Sequence, residues 1–68
     1  MIRLKYQRLV VLELSQTAFA EKAGLNKSTV SQIESGRLVP YPSQVEKLVA
    51  AIGWKGEPSE LFEEVEVM

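Results

Sequence analysis

Residues Gln16–Ser35 read QTAFAEKAGLNKSTVSQIES, and small or apolar side chains recur at helical spacing on both sides of Gly24. Side chains three or four positions apart share one face of an α-helix. Glycine adopts a left-handed backbone conformation at little cost, which suits it to end a helix. The stretch therefore predicts two short helices, about Gln16–Ala23 and about Lys27–Ser35, that cross steeply around a four-residue turn.

The sizes of the residues around this turn fit a close helix crossing. Ala20 is small where the two backbones approach each other, and Leu25 fills the turn. Val30 and Ile33 face inward about one helical turn apart. Two helices arranged in this way form a helix-turn-helix, whose second helix usually enters the major groove of DNA.

The motif belongs to a longer pattern of matching segments: Leu14-Ser15-Gln16, Phe19-Ala20, Gly24, Ser28-Thr29-Val30-Ser31, Ile33-Glu34, Gly36-Arg37, Pro42-Ser43, Leu48, Ile52-Gly53 and Glu60-Leu61-Phe62-Glu63. Through these segments nearly the whole chain resembles the Cro/cI-type (XRE, lambda-repressor-like) family of DNA-binding domains. The resemblance implies an all-α, compact five-helix fold in one domain, residues 1–68, in which helices 2 and 3 form the helix-turn-helix.

The first helix departs from the family pattern at two positions. The family often has glycine where Glu13 stands, and often has arginine where Leu9 stands, able to pair with the glutamate that corresponds to Glu34. Here Arg8 lies one position earlier. Either the connection between helices 1 and 2 is one residue longer, or the ion pair is absent.

Helical spacing and capping signals predict the other three helices. Ile2, Tyr6 and Leu9 share one face of a first helix over about 2–12. A fourth helix is expected over about 43–52, with Gly53 after its end, and Pro58 suits the first turn of a fifth helix over about 58–65.

Five residues are predicted to cap helix ends. Ser15 and Asn26 are expected to accept hydrogen bonds from backbone N–H groups at the starts of helices 2 and 3. Ser43 and Glu46 have the spacing of a capping box at the start of helix 4. Gly36 suits the end of helix 3.

Composition excludes several classes of function. The 68 residues contain no cysteine and no histidine, so disulfides, the usual zinc ligands and the usual general base are missing. We expect no cofactor, no metal, no small-molecule ligand and no enzymatic activity. No apolar run approaches the roughly 20 residues that cross a bilayer, so the sequence predicts a cytoplasmic protein, associated with the nucleoid, without a membrane partner.

The charges are distributed unevenly, although the net charge is only −1. Residues 1–40 carry six basic and three acidic side chains, whereas residues 41–68 carry two basic and six acidic ones. The half with the helix-turn-helix can therefore still present a positive surface to phosphates. Both groups of charges are also compatible with ordinary solvated surface.

The outward positions of the second motif helix are the candidates for contact with bases. The resemblance assigns base contacts to Lys27, Ser28, Ser31 and Gln32. Lysine donates to guanine, glutamine can bridge adenine N6 and N7, and serine is less selective. The alternative for each residue is a solvated helix surface.

Phosphate contacts are expected from four further residues. Gln16 begins helix 2, whose N-terminus favours an anion, and in the family this glutamine also braces the recognition helix. Arg37 follows helix 3 where the family clasps a second phosphate, although an exposed arginine there is also favoured by the helix dipole. Tyr41 and Ser43 offer hydroxyl donors.

Leu61, Phe62 and Val65 are spaced to form one apolar face of the fifth helix, surrounded by glutamates. Such a face predicts a homodimer interface, as is common in the family, or alternatively ordinary core. The sequence as a whole predicts a DNA-binding transcriptional regulator, a repressor, acting as a homodimer on a pseudo-palindromic double-stranded operator. The alternative is a protein-interaction module of antitoxin or anti-repressor type with weak or no DNA binding.

Overall fold

A computed structural model describes residues 1–66 and shows four helices and a short 3₁₀ helix. Helix α1, Arg3–Tyr6, continues directly into a π-helical turn. The π-helical turn covers Gln7–Val11. The later elements are α2 (Gln16–Ala23), α3 (Lys27–Glu34), α4 (Pro42–Ile52) and the 3₁₀ helix (Pro58–Phe62). Within residues 1–66 the β-structure is limited to one isolated antiparallel bridge, between Ile2 and Glu64.

Every helix contributes to one apolar core. The buried apolar residues are Leu4, Phe19, Ala20, Ala23, Val30, Ile33, Leu48, Ala51 and Leu61. Ala20, the small residue predicted at the helix crossing, is 3% exposed. Burial of large apolar side chains supplies most of the free energy of folding, so this core holds α2 and α3 in their crossed arrangement.

The turn between α2 and α3 has the predicted geometry. Gly24 has φ 71° and ψ 33°, which is left-handed, and its N–H donates to Glu21 O at 3.2 Å. The Ser15 hydroxyl accepts from Ala18 N at 3.1 Å, so the predicted N-cap of α2 is confirmed. Asn26 precedes α3 as expected, but its side chain makes no capping hydrogen bond, so that part of the prediction is wrong.

Replacing Gly24 with valine is expected to destabilise the protein by about 1–3 kcal/mol, because a β-branched residue is strained at positive φ. A Cβ atom at Gly24 would meet nothing within 4 Å, so the cost comes from the backbone conformation and not from a clash. Thermal melts of Gly24→Val and of the control Gly24→Asn check this, since asparagine tolerates the left-handed region. Equal melting temperatures for the two variants would contradict the assignment.

Helix α4 begins one residue earlier than predicted, and its start is stabilised by a different pair of residues. Pro42 is the first helical residue, and Tyr41 N donates to the Gln44 side chain Oε1 at 2.9 Å. The predicted capping box of Ser43 and Glu46 is therefore wrong. Proline has the helical φ built in and needs no hydrogen-bond partner for its nitrogen, which favours the earlier start.

The π-helical turn resolves the question that Arg8 raised. Leu12 N donates to Gln7 O at 2.9 Å, a bond that spans five residues instead of four. The following Glu13 has φ 54°, the single non-glycine residue with positive φ among residues 1–66. The connection between helices 1 and 2 is therefore one residue longer, and Glu13 takes the conformation that the family's glycine would adopt at lower cost.

The C-terminal part differs most from the prediction, because the expected helix over 58–65 is a 3₁₀ helix that ends at Phe62. After it the chain is extended. Glu63 O accepts from Arg3 N at 2.8 Å, and Val65 N donates to Met1 O at 2.9 Å. These backbone groups are thus bonded to the N-terminal residues and are not available for another helical turn. Residues 67 and 68 lie outside the described part of the chain.

Candidate nucleic-acid interface

The outer surface of α3 carries all four predicted base-contacting residues. Lys27, Ser28, Ser31 and Gln32 are exposed, whereas Val30, Ile33 and Glu34 are buried. Positions 27 and 31, like 28 and 32, are four apart, so the four side chains form one continuous stripe along the helix. The stripe offers an ammonium group, two hydroxyls and an amide, which are suitable groups for hydrogen bonds with base edges.

A buried ion pair fixes α3 against the first helix. Arg8 Nε donates to Glu34 Oε2 at 2.6 Å, and Arg8 Nη2 donates to Glu34 Oε1 at 2.9 Å. Arg8 and Glu34 are only 4% and 7% exposed. Arg8 Nη1 also donates to Leu14 O at 2.9 Å, so the guanidinium group connects the π-helical turn, α3 and the segment before α2.

Gln16 joins the same cluster from the first turn of α2. Its Nε2 donates to Glu34 Oε1 at 3.0 Å, while the residue remains half-buried. A carboxamide has two N–H donors, so the second N–H can donate to an anion at the α2 N-terminus. This position brings together an amide donor, the free N–H groups of the helix end and the positive end of its dipole.

The other predicted phosphate-contacting residues follow α3 along the chain. Arg37 is exposed, and its backbone N–H donates to Gln32 O at 2.9 Å. This hydrogen bond holds the start of the loop against the end of α3. Tyr41 is 69% exposed and Ser43 is exposed in the first turn of α4. The predicted phosphate-contacting residues therefore lie at the N-terminal ends of α2 and α4 and in the loop after α3.

The three predicted dimer-interface residues do not share one helical face, because the 3₁₀ helix ends at Phe62. Leu61 is 0% exposed and belongs to the core. Phe62 is half-buried and packs against the core, and Val65 is half-buried in the extended segment. The prediction of a single apolar helical face is wrong, because the 3₁₀ helix ends before Val65 and directs Leu61 inward.

Two other features are absent from residues 1–66: a metal-binding cluster and a membrane-spanning helix. Residues 1–66 contain no group of three carboxylates that could hold a metal ion. No helix within the same residues has the length and apolar character required to cross a membrane.

The fold and this surface define a helix-turn-helix domain of the DNA-binding class. The chain matches the family model described as "Helix-turn-helix domain" over residues 3–62, and it belongs to that family. The match confirms the resemblance drawn from the sequence and is consistent with a Cro/cI-like domain. Comparisons with curated proteins and with solved structures found no match. Domains of this family are typically not enzymes.

The sequence left the function of Arg8 open, although one signal pointed to it. Arg8 lies four residues after the fully buried Leu4, on the same face of the first helix. A charged residue on an otherwise buried face needs a buried partner of opposite charge. Glu34, which follows the inward Ile33 on the motif helix, is that partner.

Proposed function

We propose that this protein is a transcriptional regulator that binds DNA sequence-specifically and represses transcription as a homodimer on a pseudo-palindromic operator. The whole chain, residues 1–68, acts as one domain in the cytoplasm and carries out no catalysis. The observation that supports this proposal best is the exposed polar stripe of α3, backed by the buried Arg8–Glu34 pair. A rigidly held helix with an outward row of donors has the features required to bind in a major groove.

Within that groove, different residues contribute different selectivity. Lys27 donates to guanine O6 and N7, and Gln32 pairs with adenine N6 and N7. Ser28 and Ser31 add hydroxyl contacts that select less strongly. Because the stripe is largely neutral, sequence recognition depends more on hydrogen-bond pattern than on charge.

Phosphate contacts set the position of α3 on the duplex. Gln16 holds one phosphate at the α2 N-terminus, and Arg37 holds another beyond the end of α3. Tyr41 and Ser43 donate hydroxyl groups to the backbone near the α4 N-terminus. Such contacts supply affinity that does not depend on sequence and that falls as salt rises. A dimer held in this way represses by covering the promoter.

A second candidate function is a protein-interaction module of antitoxin or anti-repressor type. It is favoured by three consecutive exposed aliphatic residues, Leu9, Val10 and Val11, which are 42%, 50% and 56% exposed. Contiguous apolar surface of this kind is often a contact for another protein. The net charge of −1 also limits non-specific attraction to DNA.

The test measures binding to duplex DNA at several salt concentrations, first with random sequence and then with sites selected from an oligonucleotide pool. Gln32→Ala is expected to lose about 1–3 kcal/mol at the matching base pair and to leave the salt slope unchanged. Arg37→Ala is expected to weaken binding to all sequences similarly and to reduce the salt slope by about one.

Lys55→Ala is the matched control, because Lys55 is an exposed cation outside the proposed interface. It should change neither slope nor selectivity. If Gln32→Ala and Arg37→Ala alter affinity with the same salt slope and sequence profile, the division between base and phosphate contacts is wrong. If the wild type shows no salt-dependent binding to any duplex, the interaction module is the better assignment.

A further inference from the structure

An apolar groove of about 660 Å³ lies between the α3–α4 loop, the first half of α4 and the 3₁₀ helix. Its apolar lining includes Ile2, Ile33, Leu38, Val39, Val45 and Phe62. Binding sites for small molecules are typically clefts of about 300–1,000 Å³ that are mostly apolar and carry a few polar groups. The volume and the lining of this groove fit that class of site.

The fold holds the walls of the groove in place. Ile33 is 2% exposed, and Phe62 packs against the core. Pro40 lines the groove from the loop, where its ring fixes the backbone angle φ. Ile2 is held by the antiparallel bridge to Glu64. Because these walls are already ordered in the free protein, a ligand loses little free energy to ordering them.

One side chain determines the charge preference of the groove. Glu46, in α4, is the single ionisable residue among the eleven that line it. Glu46 is exposed, and neither of the ion pairs within residues 1–66 includes it. Ser59 adds a hydroxyl group to the lining, which can accept a hydrogen bond. The groove therefore offers a negative charge and a further acceptor beside an apolar surface.

We propose that the groove is a binding site for a small apolar molecule that carries one primary ammonium group. The apolar part packs along Ile33, Val45 and Phe62. The ammonium group donates to the Glu46 carboxylate, with the Ser59 hydroxyl as a further acceptor. The inference goes beyond the proposed function and does not depend on DNA binding. It differs from the expectation of no small-molecule ligand, because composition alone does not reveal a groove formed by residues as far apart as 2 and 62.

The size of the groove favours a small molecule over a protein partner. Its eleven lining residues are fewer than the roughly 20–30 residues that each partner contributes to a standard protein interface. The charge of the groove favours a cation over other small molecules. An anion would lie beside Glu46 with no cation in the lining to compensate, and a neutral molecule would make no charge-assisted hydrogen bond.

The first experiment titrates the full chain with n-octylammonium in the absence of DNA and follows the backbone amide signals by NMR. We expect the signals of Leu38, Val39, Val45 and Glu46 to shift, with a dissociation constant of about millimolar order for so small a molecule. The same titration with n-octanoate, which has a similar chain and the opposite charge, should give binding about tenfold weaker or less.

A second experiment tests the role of the carboxylate. Glu46→Gln should weaken n-octylammonium binding about two- to fivefold, the range of an exposed ion pair, and should leave the binding of neutral n-octanol unchanged. Glu21→Gln is the matched control, since Glu21 is an exposed carboxylate of α2 that does not line the groove. It should change the binding of neither molecule.

A third experiment tests the apolar wall. Val39 lines the groove and is 85% exposed, so Val39→Ser should weaken the binding of n-octylammonium and n-octanol alike, by about threefold, because apolar contact is lost. Val11→Ser is the control, since Val11 is 56% exposed and does not line the groove. Circular dichroism confirms that each variant is folded before affinities are compared.

Three results would overturn the proposed site: groove signals that do not shift with n-octylammonium, n-octanoate binding as tightly as n-octylammonium, and a Glu46→Gln variant that behaves like Glu21→Gln. Shifts confined to the exposed Leu9, Val10 and Val11 would also overturn it, since they would indicate a general apolar contact elsewhere. So would groove signals that move with protein concentration alone, because a second copy of the chain would then occupy the groove. None of these results bears on DNA binding, which is measured separately.

Discussion

Replacing Arg8 with methionine is expected to destabilise the protein by about 3–5 kcal/mol, because it leaves Glu34 buried without its partner. Glu34 is only 7% exposed and receives two hydrogen bonds from Arg8. Native proteins have roughly 5–15 kcal/mol of stability in total, so the variant should lose a large part of its stability. Urea denaturation followed by circular dichroism measures the loss.

Two further variants separate the ion pair from general effects of losing an arginine. Arg37→Met removes an exposed arginine and should change stability by about 0.5 kcal/mol or less. The double variant Arg8→Met, Glu34→Leu should be more stable than Arg8→Met alone, since no charge then remains buried. If Arg8→Met and Arg37→Met unfold at the same urea concentration, the buried pair does not stabilise the fold.

Replacing Leu61 with alanine is expected to cost about 2–5 kcal/mol, because Leu61 is 0% exposed and its removal leaves a cavity in the core. The loss should not depend on protein concentration, since the side chain packs within one copy. Thermal melts at two concentrations a hundredfold apart, in about the micromolar range and above, check both statements.

Val65→Ala is the matched control, since Val65 is half-buried in the extended segment and loses less contact. It should cost about 1 kcal/mol or less. A Leu61→Ala variant with a normal melting temperature at high concentration but a low one after dilution would mean that Leu61 stabilises a dimer. That result would restore the interface first expected from the sequence.

Much of the proposed recognition surface follows from the sequence, because the signals that form it are local. The apolar period of α3 determines which side chains face outward, and all four predicted base-contacting residues are exposed. Local signals fail where two of them compete. At the start of α4, both Tyr41 with Gln44 and Ser43 with Glu46 could have formed the cap, and the former is present.

The sequence by itself determined α2, the turn at Gly24 and the outward stripe of α3, because helical period, capping and left-handed glycine involve residues only a few positions apart. Tertiary structure alone decided three other features. Arg8 reaches Glu34 across 26 positions, the chain near Glu63 bonds to the N-terminal backbone, and Leu61 enters the core instead of the surface. Each feature depends on contacts between residues that are far apart in the sequence. A local pattern of residues does not specify which distant group pairs with a buried charge, accepts from a backbone donor or packs against an apolar side chain.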